Sequence, residues 1–120
     1  MFTLRLLILG LLFAAVPVTA DTEAEINHLL GFVAATDCQY ERNGNMYSGL
    51  EAREHIQRKY RYFEKKVKTT EDFIRLSATK STVSGKRYGI HCSGMKSVFA
   101  SDWLLDELGS YRQSQALEQD

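Results

Sequence analysis

The chain contains 120 residues, with 15 basic and 15 acidic side chains, two cysteines and one proline. This length predicts a single domain and leaves no room for a second independent hydrophobic core. Because 44% of the residues are apolar and 25% are charged, the composition excludes a disordered chain, a collagen and a cysteine-rich scaffold. No sequence motif identifies a reaction.

The first twenty residues have the pattern of a secretory signal peptide. Arg5 supplies a positive charge, residues 6–16 form an uninterrupted apolar run, and Pro17 precedes a short segment that ends at Ala20. This pattern predicts cleavage after Ala20 and export to the periplasm. The alternative is a membrane anchor, but a membrane-spanning helix needs about 20 apolar residues. We therefore expect a mature protein without a transmembrane anchor, outside the cytoplasm.

A helix is predicted at the start of the mature chain. Thr22 and Glu25 have the spacing of a capping box, which places the N-cap at Thr22. The apolar residues that follow recur at the spacing of one buried helical stripe. They are Ile26, Leu29, Leu30 and Val33.

Asn43-Gly44 predicts a β-hairpin, because both residues tolerate the positive φ angles of a type I′ turn. A two-residue loop pairs Tyr40 with Tyr47. Since side chains alternate along a strand, both tyrosines and Cys38 share one face. We predict that this face is buried in the core.

Two helices are predicted after the hairpin. Ser48 and Glu51 form a second capping box, which begins a long helix over about 49–67. A shorter helix follows Thr69 or Thr70 and has acidic residues in its first turn, where the helix dipole favours them. The predicted buried stripe of the long helix is Ala52, Ile56, Tyr60, Phe63 and Val67.

A third strand and a last helix complete the domain. Residues 86–92 alternate, which places Tyr88, Ile90 and Cys92 on the buried face. The last helix has its predicted N-cap at Ser101 and ends near Arg112, and residues 113–120 are expected to fray. The predicted fold is α+β: about four helices on one face of a small three-stranded antiparallel sheet. The single domain covers residues 21–112 and follows a signal peptide over residues 1–20.

Cys38 and Cys92 are predicted to form a disulfide, because an even number of cysteines outside the cytoplasm is most simply paired. The two residues are 54 positions apart. Closing a loop of that length contributes on the order of 4 kcal/mol on the chain-entropy model. The alternative is a reactive thiol or a metal site that uses His91. Neighbouring side chains on a strand point to opposite faces, which disfavours a shared metal ion.

Positive charge is concentrated in the middle of the chain. Residues 51–96 contain 12 basic and 5 acidic side chains, whereas the rest of the mature chain contains 2 and 10. A basic face can attract an anionic lipid, a polysaccharide or a nucleic acid. The alternative is a solvated helix face stabilised by i,i+4 ion pairs. The basic residues of the long helix are Arg53, Arg58, Lys59, Arg61, Lys65, Lys66 and Lys68.

Histidine chemistry offers two weaker hypotheses. His55 and Lys59 lie one helical turn apart, and His55 has the chemistry of a general base. No serine or cysteine nucleophile is placed with it by the sequence pattern. A metal site built from His28, His55 and His91 lacks the usual ligand spacing, so no metal is expected.

Ser84-Gly85-Lys86 is similar to the end of a phosphate-binding loop. The first glycine of that motif is replaced by Lys80, and Arg87 stands where a serine or threonine is required. The sequence therefore predicts no nucleotide site. Backbone amides around Gly85 could form an anion-binding nest, with a plain turn as the simpler alternative.

The order of several short motifs resembles the YfeK-like family of small bacterial periplasmic proteins. These motifs are Arg42-Asn43-Gly44, Glu51-Ala52, His55-Ile56, Lys59, Thr70-Glu71-x-Phe73-Ile74 and Ser84-Gly85-Lys86-x-Tyr88. The likeness covers roughly residues 26–112. It implies a signal peptide and a domain of unknown function, and it carries over no catalytic residue. The polar positions that match the shared pattern are Arg42, Asn43, His55, Lys59, Ser84, Lys86 and Tyr88.

These observations favour a non-catalytic binding module of the periplasm that needs no cofactor. Its expected partner is an anionic component of the cell envelope or another periplasmic protein. The candidate contacts are Arg42, His55, Lys59 and Lys86. A second hypothesis is a small hydrolase or transferase centred on His55, and a third is a secreted inhibitor or immunity protein.

Overall fold

The computed structural model describes residues 20–118. All but the last residue of the predicted signal peptide lies outside the described residues. None of the helices within residues 20–118 has the length and apolar character needed to cross a membrane. The elements are helix α1 (Ala20–Ala35), strands β1 (Gln39–Arg42) and β2 (Asn45–Tyr47), helix α2 (Gly49–Phe63), a 3-10 turn (Glu64–Lys66), helix α3 (Thr70–Ser77), strands β3 (Gly89–His91) and β4 (Val98–Phe99), and helix α4 (Ala100–Glu118).

The four strands form one antiparallel sheet in the order β2-β1-β3-β4. The predicted hairpin is confirmed, because Tyr40 pairs with Tyr47 and Arg42 pairs with Asn45. Asn43 and Gly44 both have positive φ angles, of 52° and 82°, as a type I′ turn requires. The sequence therefore set this register locally.

The predicted strand count was wrong, because the sheet has four strands and not three. The additional strand is β4, in which Val98 pairs with Ile90 and Phe99 pairs with Gly89. Two residues are too few to show an alternating pattern in the sequence. Helix α4 follows β4 without a loop.

The hydrophobic core lies between the helices and one face of the sheet. The predicted stripe of α1 is confirmed, since all four of its residues are buried. Tyr40 and Ile90 line the buried face of the sheet. Helix α2 begins close to the end of α1, where a Cβ atom on Gly49 would lie 2.3 Å from the carbonyl oxygen of Val33. Only glycine permits this approach.

Two predicted helix starts are confirmed. Ser48 caps α2 through a capping box with Glu51, and Thr69 caps α3 through a capping box with Asp72. Helix α2 is shorter than predicted, because it ends at Phe63 and continues as the 3-10 turn. Of its predicted stripe, Ala52, Ile56 and Val67 are buried, and Tyr60 and Phe63 are partly exposed.

Two other predicted caps were wrong. Thr22 lies inside α1, and the carboxylate of Glu25 accepts hydrogen bonds from Thr70 and Arg112. Ser101 lies inside α4, which already includes Ala100, and its hydroxyl accepts a hydrogen bond from Arg87. The side chains of Glu25 and Ser101, which were predicted to cap their own helices, are therefore hydrogen-bonded to residues distant in sequence.

Helix α4 is also longer than the sequence indicates, because it continues past Arg112 to Glu118. The predicted disulfide is present and joins Cys38 to Cys92. It lies beside the paired strands β1 and β3, since Gln39 is opposite His91. Both cysteines are partly buried against the core.

Candidate functional site

A cleft of about 230 Å³ lies between α2, the β1–β2 turn and the loop that precedes β3. We call it the cationic cleft. Its lining contains two cationic side chains and a histidine, and no carboxylate of the described residues belongs to it. The lining residues are Arg42, Asn43, His55, Lys59, Ser81, Thr82, Val83 and Tyr88.

The hydroxyl group of Tyr88 connects the residues from α2. His55 Nε2 lies 3.0 Å from this hydroxyl, and Lys59 Nζ donates to it at 3.3 Å. Lys59 Nζ also donates to the backbone carbonyl oxygen of Lys80 at 2.7 Å. Two of the three N–H groups of the Lys59 ammonium are therefore used within the protein, and one is left.

The backbone around Tyr88 fixes this arrangement. Its N–H donates to the carbonyl oxygen of Thr79, and its C=O accepts from the N–H of Ala100. The Tyr88 ring is buried and lies 5.5 Å from the ring of Tyr40, measured between centroids. The hydroxyl of Tyr88 therefore reaches the cleft from a rigid position in the core.

The ionisation of the cleft reflects burial and an excess of positive charge. Burial, together with the charges of Arg42, Lys59 and Arg58, lowers the pKa of His55 to about 4. Burial and the charge of Arg42 also lower the pKa of Lys59. Burial raises the pKa of Tyr88, and the charge of Arg42 opposes this increase. At neutral pH His55 is therefore uncharged and Tyr88 is protonated.

Arg42 enters the cleft from the end of β1. Its guanidinium lies 4.5 Å from the centroid of the Tyr47 ring, in a cation–π contact. Throughout residues 20–118, no carboxylate lies within ion-pair distance of this guanidinium. Its planar set of N–H donors is suited to a carboxylate or a phosphate from outside the chain.

The loop before β3 closes one side of the cleft. Ser81 Oγ accepts from the N–H groups of Val83 and Ser84. Ser84 Oγ donates to Asn43 Oδ1 at 2.6 Å, which ties the loop to the hairpin turn. The N–H of Gly85 donates to the carbonyl oxygen of Ser81. Because these amides are already bonded within the loop, the anion-binding nest around Gly85 is not supported.

A second recess of about 320 Å³ adjoins the cationic cleft. The two share His55, Lys59 and Thr82 as lining residues. The second recess is aromatic, because it is also lined by Tyr62 and Phe63. We call it the aromatic recess; its lining residues are His55, Arg58, Lys59, Tyr62, Phe63 and Thr82.

The structure brings three of the four predicted contacts together: Arg42, His55 and Lys59 line the cleft. Lys86 does not line it, and the side chain of Lys86 is exposed. Its predicted role in binding stays a prediction, as does that of the other three residues.

The remaining histidines lie elsewhere. His28 Nε2 is 2.7 Å from a carboxylate oxygen of Glu107, and His91 Nε2 is 2.6 Å from one of Glu41. Over residues 20–118 no group of three or more His, Cys, Asp and Glu side chains is placed to hold a metal ion. The three histidines thus take part in three separate contacts, and no shared ligand set is formed.

Arg58 was predicted only as part of the basic face of the long helix, and Tyr62 and Thr82 were not predicted as site residues. A helical pattern identifies the first two in retrospect, because positions 55, 58, 59, 62 and 63 follow i, i+3, i+4, i+7 and i+8 spacing. This face of α2 lies beside the buried stripe. Thr82 had no such signal, since its position depends on how the loop folds back onto α2.

Residues 20–112 match the model of DUF5329, which is described as a family of unknown function. The chain belongs to this family. The DUF5329 match covers α1 to α3, the whole sheet and most of α4, and so includes every residue of the cationic cleft. No curated protein and no solved structure has significant similarity to the chain.

Proposed function

We propose that this DUF5329 protein is an exported, non-catalytic binding module that recognises an anionic component of the bacterial cell envelope through the cationic cleft. One observation carries this proposal: Arg42 and Lys59 line the same cleft, and none of the described residues in its lining is acidic. Two like charges in a partly buried site repel each other. A bound anion would remove this repulsion and would form charge-assisted hydrogen bonds.

Three features support the proposed location. The leader has the pattern of a signal peptide, and the resemblance to the YfeK-like family implies the bacterial periplasm. The Cys38–Cys92 disulfide is typical of a protein that folds in an oxidising compartment. Detection of the intact leader on the folded protein in cells would contradict this part of the proposal.

The enzyme hypothesis centred on His55 remains the second candidate. A neutral imidazole at pH 7 has the protonation state of a general base. The serine that lines the cleft is the buried Ser81, whose hydroxyl already accepts two backbone hydrogen bonds within its loop. This arrangement favours a structural role for Ser81 over that of a nucleophile. The inhibitor or immunity hypothesis has no specific observation in its favour.

The proposal can be tested by cosedimentation of the oxidised protein with a bacterial envelope fraction. Arg42→Ala/Lys59→Ala should reduce the bound fraction at least tenfold, because it removes both cations from the cleft. The matched control is Lys65→Ala/Lys66→Ala, which removes two exposed charges of the 3-10 turn outside the cleft.

Salt provides the second measurement. Wild-type binding should weaken as the salt concentration rises from about 0.05 to about 0.2 M, because screening shortens the range of the electrostatic attraction. Equal loss of binding in the cleft variant and in the control would overturn the proposal. Binding that does not change with salt would also overturn it.

A further inference from the structure

The cationic cleft and the aromatic recess together describe a ligand with two chemically distinct parts. We infer that this ligand is a phosphate monoester whose organic group is a ring: the phosphate lies between Arg42 and Lys59, and the ring lies against Tyr62. This inference rests on the proposed function and names the class of anion that the site takes.

The charge of the cleft indicates a dianion. Arg42 and the Lys59 ammonium contribute two positive charges, and no carboxylate of the described chain lines the cleft. A phosphate monoester has a charge of about −1.5 to −2 at neutral pH and three terminal oxygens that accept hydrogen bonds. A carboxylate or a sulfate monoester has one negative charge and would leave one of these cations without compensation.

The donors are also placed for several acceptor oxygens. Among the described residues no carboxylate pairs with the Arg42 guanidinium, and Lys59 retains one N–H after its bonds to Lys80 and Tyr88. Thr82 adds a hydroxyl where the cationic cleft meets the aromatic recess. Arginine binds phosphate in a bidentate manner, and lysine binds it as a point charge.

The inference that the ester carries a ring rests on the aromatic recess. Tyr62 is 81% exposed although it is a large aromatic residue. The ring of Phe63 meets the ring of Tyr62 edge-on, with 4.8 Å between their centroids. Because most of the Tyr62 side chain is exposed, a flat partner can reach its ring, and offset stacking is a favourable arrangement of two rings. Arg58 also lines this recess and adds a positive charge beside it.

Binding of a dianion should raise the pKa of His55. The charged and titratable groups that line the cleft and the recess come from three elements: Arg42 from β1; Arg58, Lys59 and Tyr62 from α2; and Tyr88 from the residue before β3. The loop residues Ser81 to Val83 contribute none. Burial is the main cause of the low pKa of His55, and the charges of Arg42, Lys59 and Arg58 add to it. A bound dianion offsets these charges, so the imidazolium form becomes more favourable.

The test uses phenyl phosphate, inorganic phosphate and phenyl sulfate as probes in titration calorimetry of the oxidised protein at pH 7. Phenyl phosphate should bind at least tenfold more tightly than either of the other probes. Tyr62→Ala should remove the preference for phenyl phosphate over inorganic phosphate and leave the affinity for inorganic phosphate unchanged. Met95→Ala is the control, because Met95 is 72% exposed and lies outside both recesses.

Repeating the titration in buffers of different ionisation enthalpy measures the number of protons that the protein takes up on binding. On binding phenyl phosphate the wild type should take up more protons than His55→Gln, because the pKa of His55 rises. Equal affinity for phenyl sulfate and phenyl phosphate would overturn the choice of a phosphate monoester. Equal affinity for inorganic phosphate and phenyl phosphate would overturn the inference that the ligand carries a ring.

The remaining outcomes separate this inference from the proposed function. If no phosphate probe binds but the envelope fraction still binds through Arg42 and Lys59, the ligand class is wrong and the proposed function stands. If neither binds through these residues, both are wrong. Release of inorganic phosphate from phenyl phosphate during the titration would overturn the non-catalytic role and would favour the enzyme hypothesis.

Discussion

Arg112 and Arg42 occupy contrasting environments. Arg112 Nε donates to Glu25 at 2.8 Å, and its Nη1 donates to Glu71 at 2.7 Å. These bonds raise the pKa of Arg112 and lower that of each carboxylate. Arg42 stacks on Tyr47 and has no carboxylate partner among residues 20–118.

This difference separates a structural cation from one that is available to a ligand. Arg112 connects α4 to α1 and α3, because Glu25 and Glu71 belong to those helices. Its charge is already compensated within the protein. Over residues 20–118 no carboxylate compensates the charge of Arg42, and this charge lowers the pKa of both His55 and Lys59. Substitution of Arg42 should therefore change ligand binding more than stability, and substitution of Arg112 should change stability and leave binding unchanged.

The largest expected effect is that of Arg42→Glu, which gives the cationic cleft its own carboxylate. Binding of phenyl phosphate should fall at least 100-fold, equivalent to about 2.7 kcal/mol, because the new charge repels the ligand and competes for Lys59. The free energy of unfolding should stay the same or rise by up to about 1 kcal/mol. Calorimetry and urea denaturation measure the two quantities.

Arg42→Lys is the control for this substitution, because it keeps the charge and removes the planar donor set. It should lose less affinity than Arg42→Glu. Unchanged binding in Arg42→Glu would mean that Arg42 resembles Arg112 and has no role in the ligand site.

An intermediate effect is expected for Arg112→Ala. The free energy of unfolding should fall by about 1–2 kcal/mol, because the partly buried Glu25 loses its charged partner. Binding of phenyl phosphate should not change. Arg75→Ala is the control, since the Arg75–Asp72 pair is an exposed contact within one helix and should contribute less than about 0.5 kcal/mol.

The stability difference between the wild type and Arg112→Ala should depend on pH. The pKa values of Glu25 and Glu71 are lower in the folded protein than their ordinary value of 4.5. Their contribution is therefore complete above pH 4.5 and is lost as the pH falls through the folded-state values. Urea denaturation of both proteins from pH 7 to pH 3 should show the difference closing. A constant difference would assign the effect of Arg112 to packing.

The smallest effect is expected at His55. The folded-state pKa of about 4 lies below the ordinary value of 6.5, so the unfolded chain binds a proton first as the pH falls. Stability is therefore complete above pH 6.5 and decreases between about pH 6.5 and pH 4. Because His55 is only half-buried, we expect a loss of about 1 kcal/mol after solvent screening. His55→Gln should remove this part of the pH dependence, and an unchanged profile would contradict the assignment.

Much of the fold followed from local chemistry. The Asn43-Gly44 turn fixed the register of the hairpin, and Ser48 fixed the start of α2. The predicted helix caps at Thr22 and Ser101 were wrong. The side chains expected to form them bind distant residues, because Arg112 binds Glu25 and Arg87 binds Ser101. Strand β4 was missed for a related reason, because its two residues are held in the sheet by pairing with β3.

The candidate site was partly predictable for the same physical reason. His55 and Lys59 lie one turn apart on a single helix, so the sequence alone places them together. Arg42 and Tyr88 join them only through the sheet, in which β1 pairs with β3. All of these elements together determine that no carboxylate of the described chain lines the cleft, and no local pattern of the sequence reports it.

Because Cys38 and Cys92 form a disulfide, the stability of this protein depends on the redox conditions around it. A domain of this size has a net stability of about 5–15 kcal/mol, and the link contributes on the order of 4 kcal/mol of it. We therefore expect the oxidised protein to resist proteases better than the reduced protein. The fold that holds the cationic cleft together should therefore persist longer once this disulfide has formed.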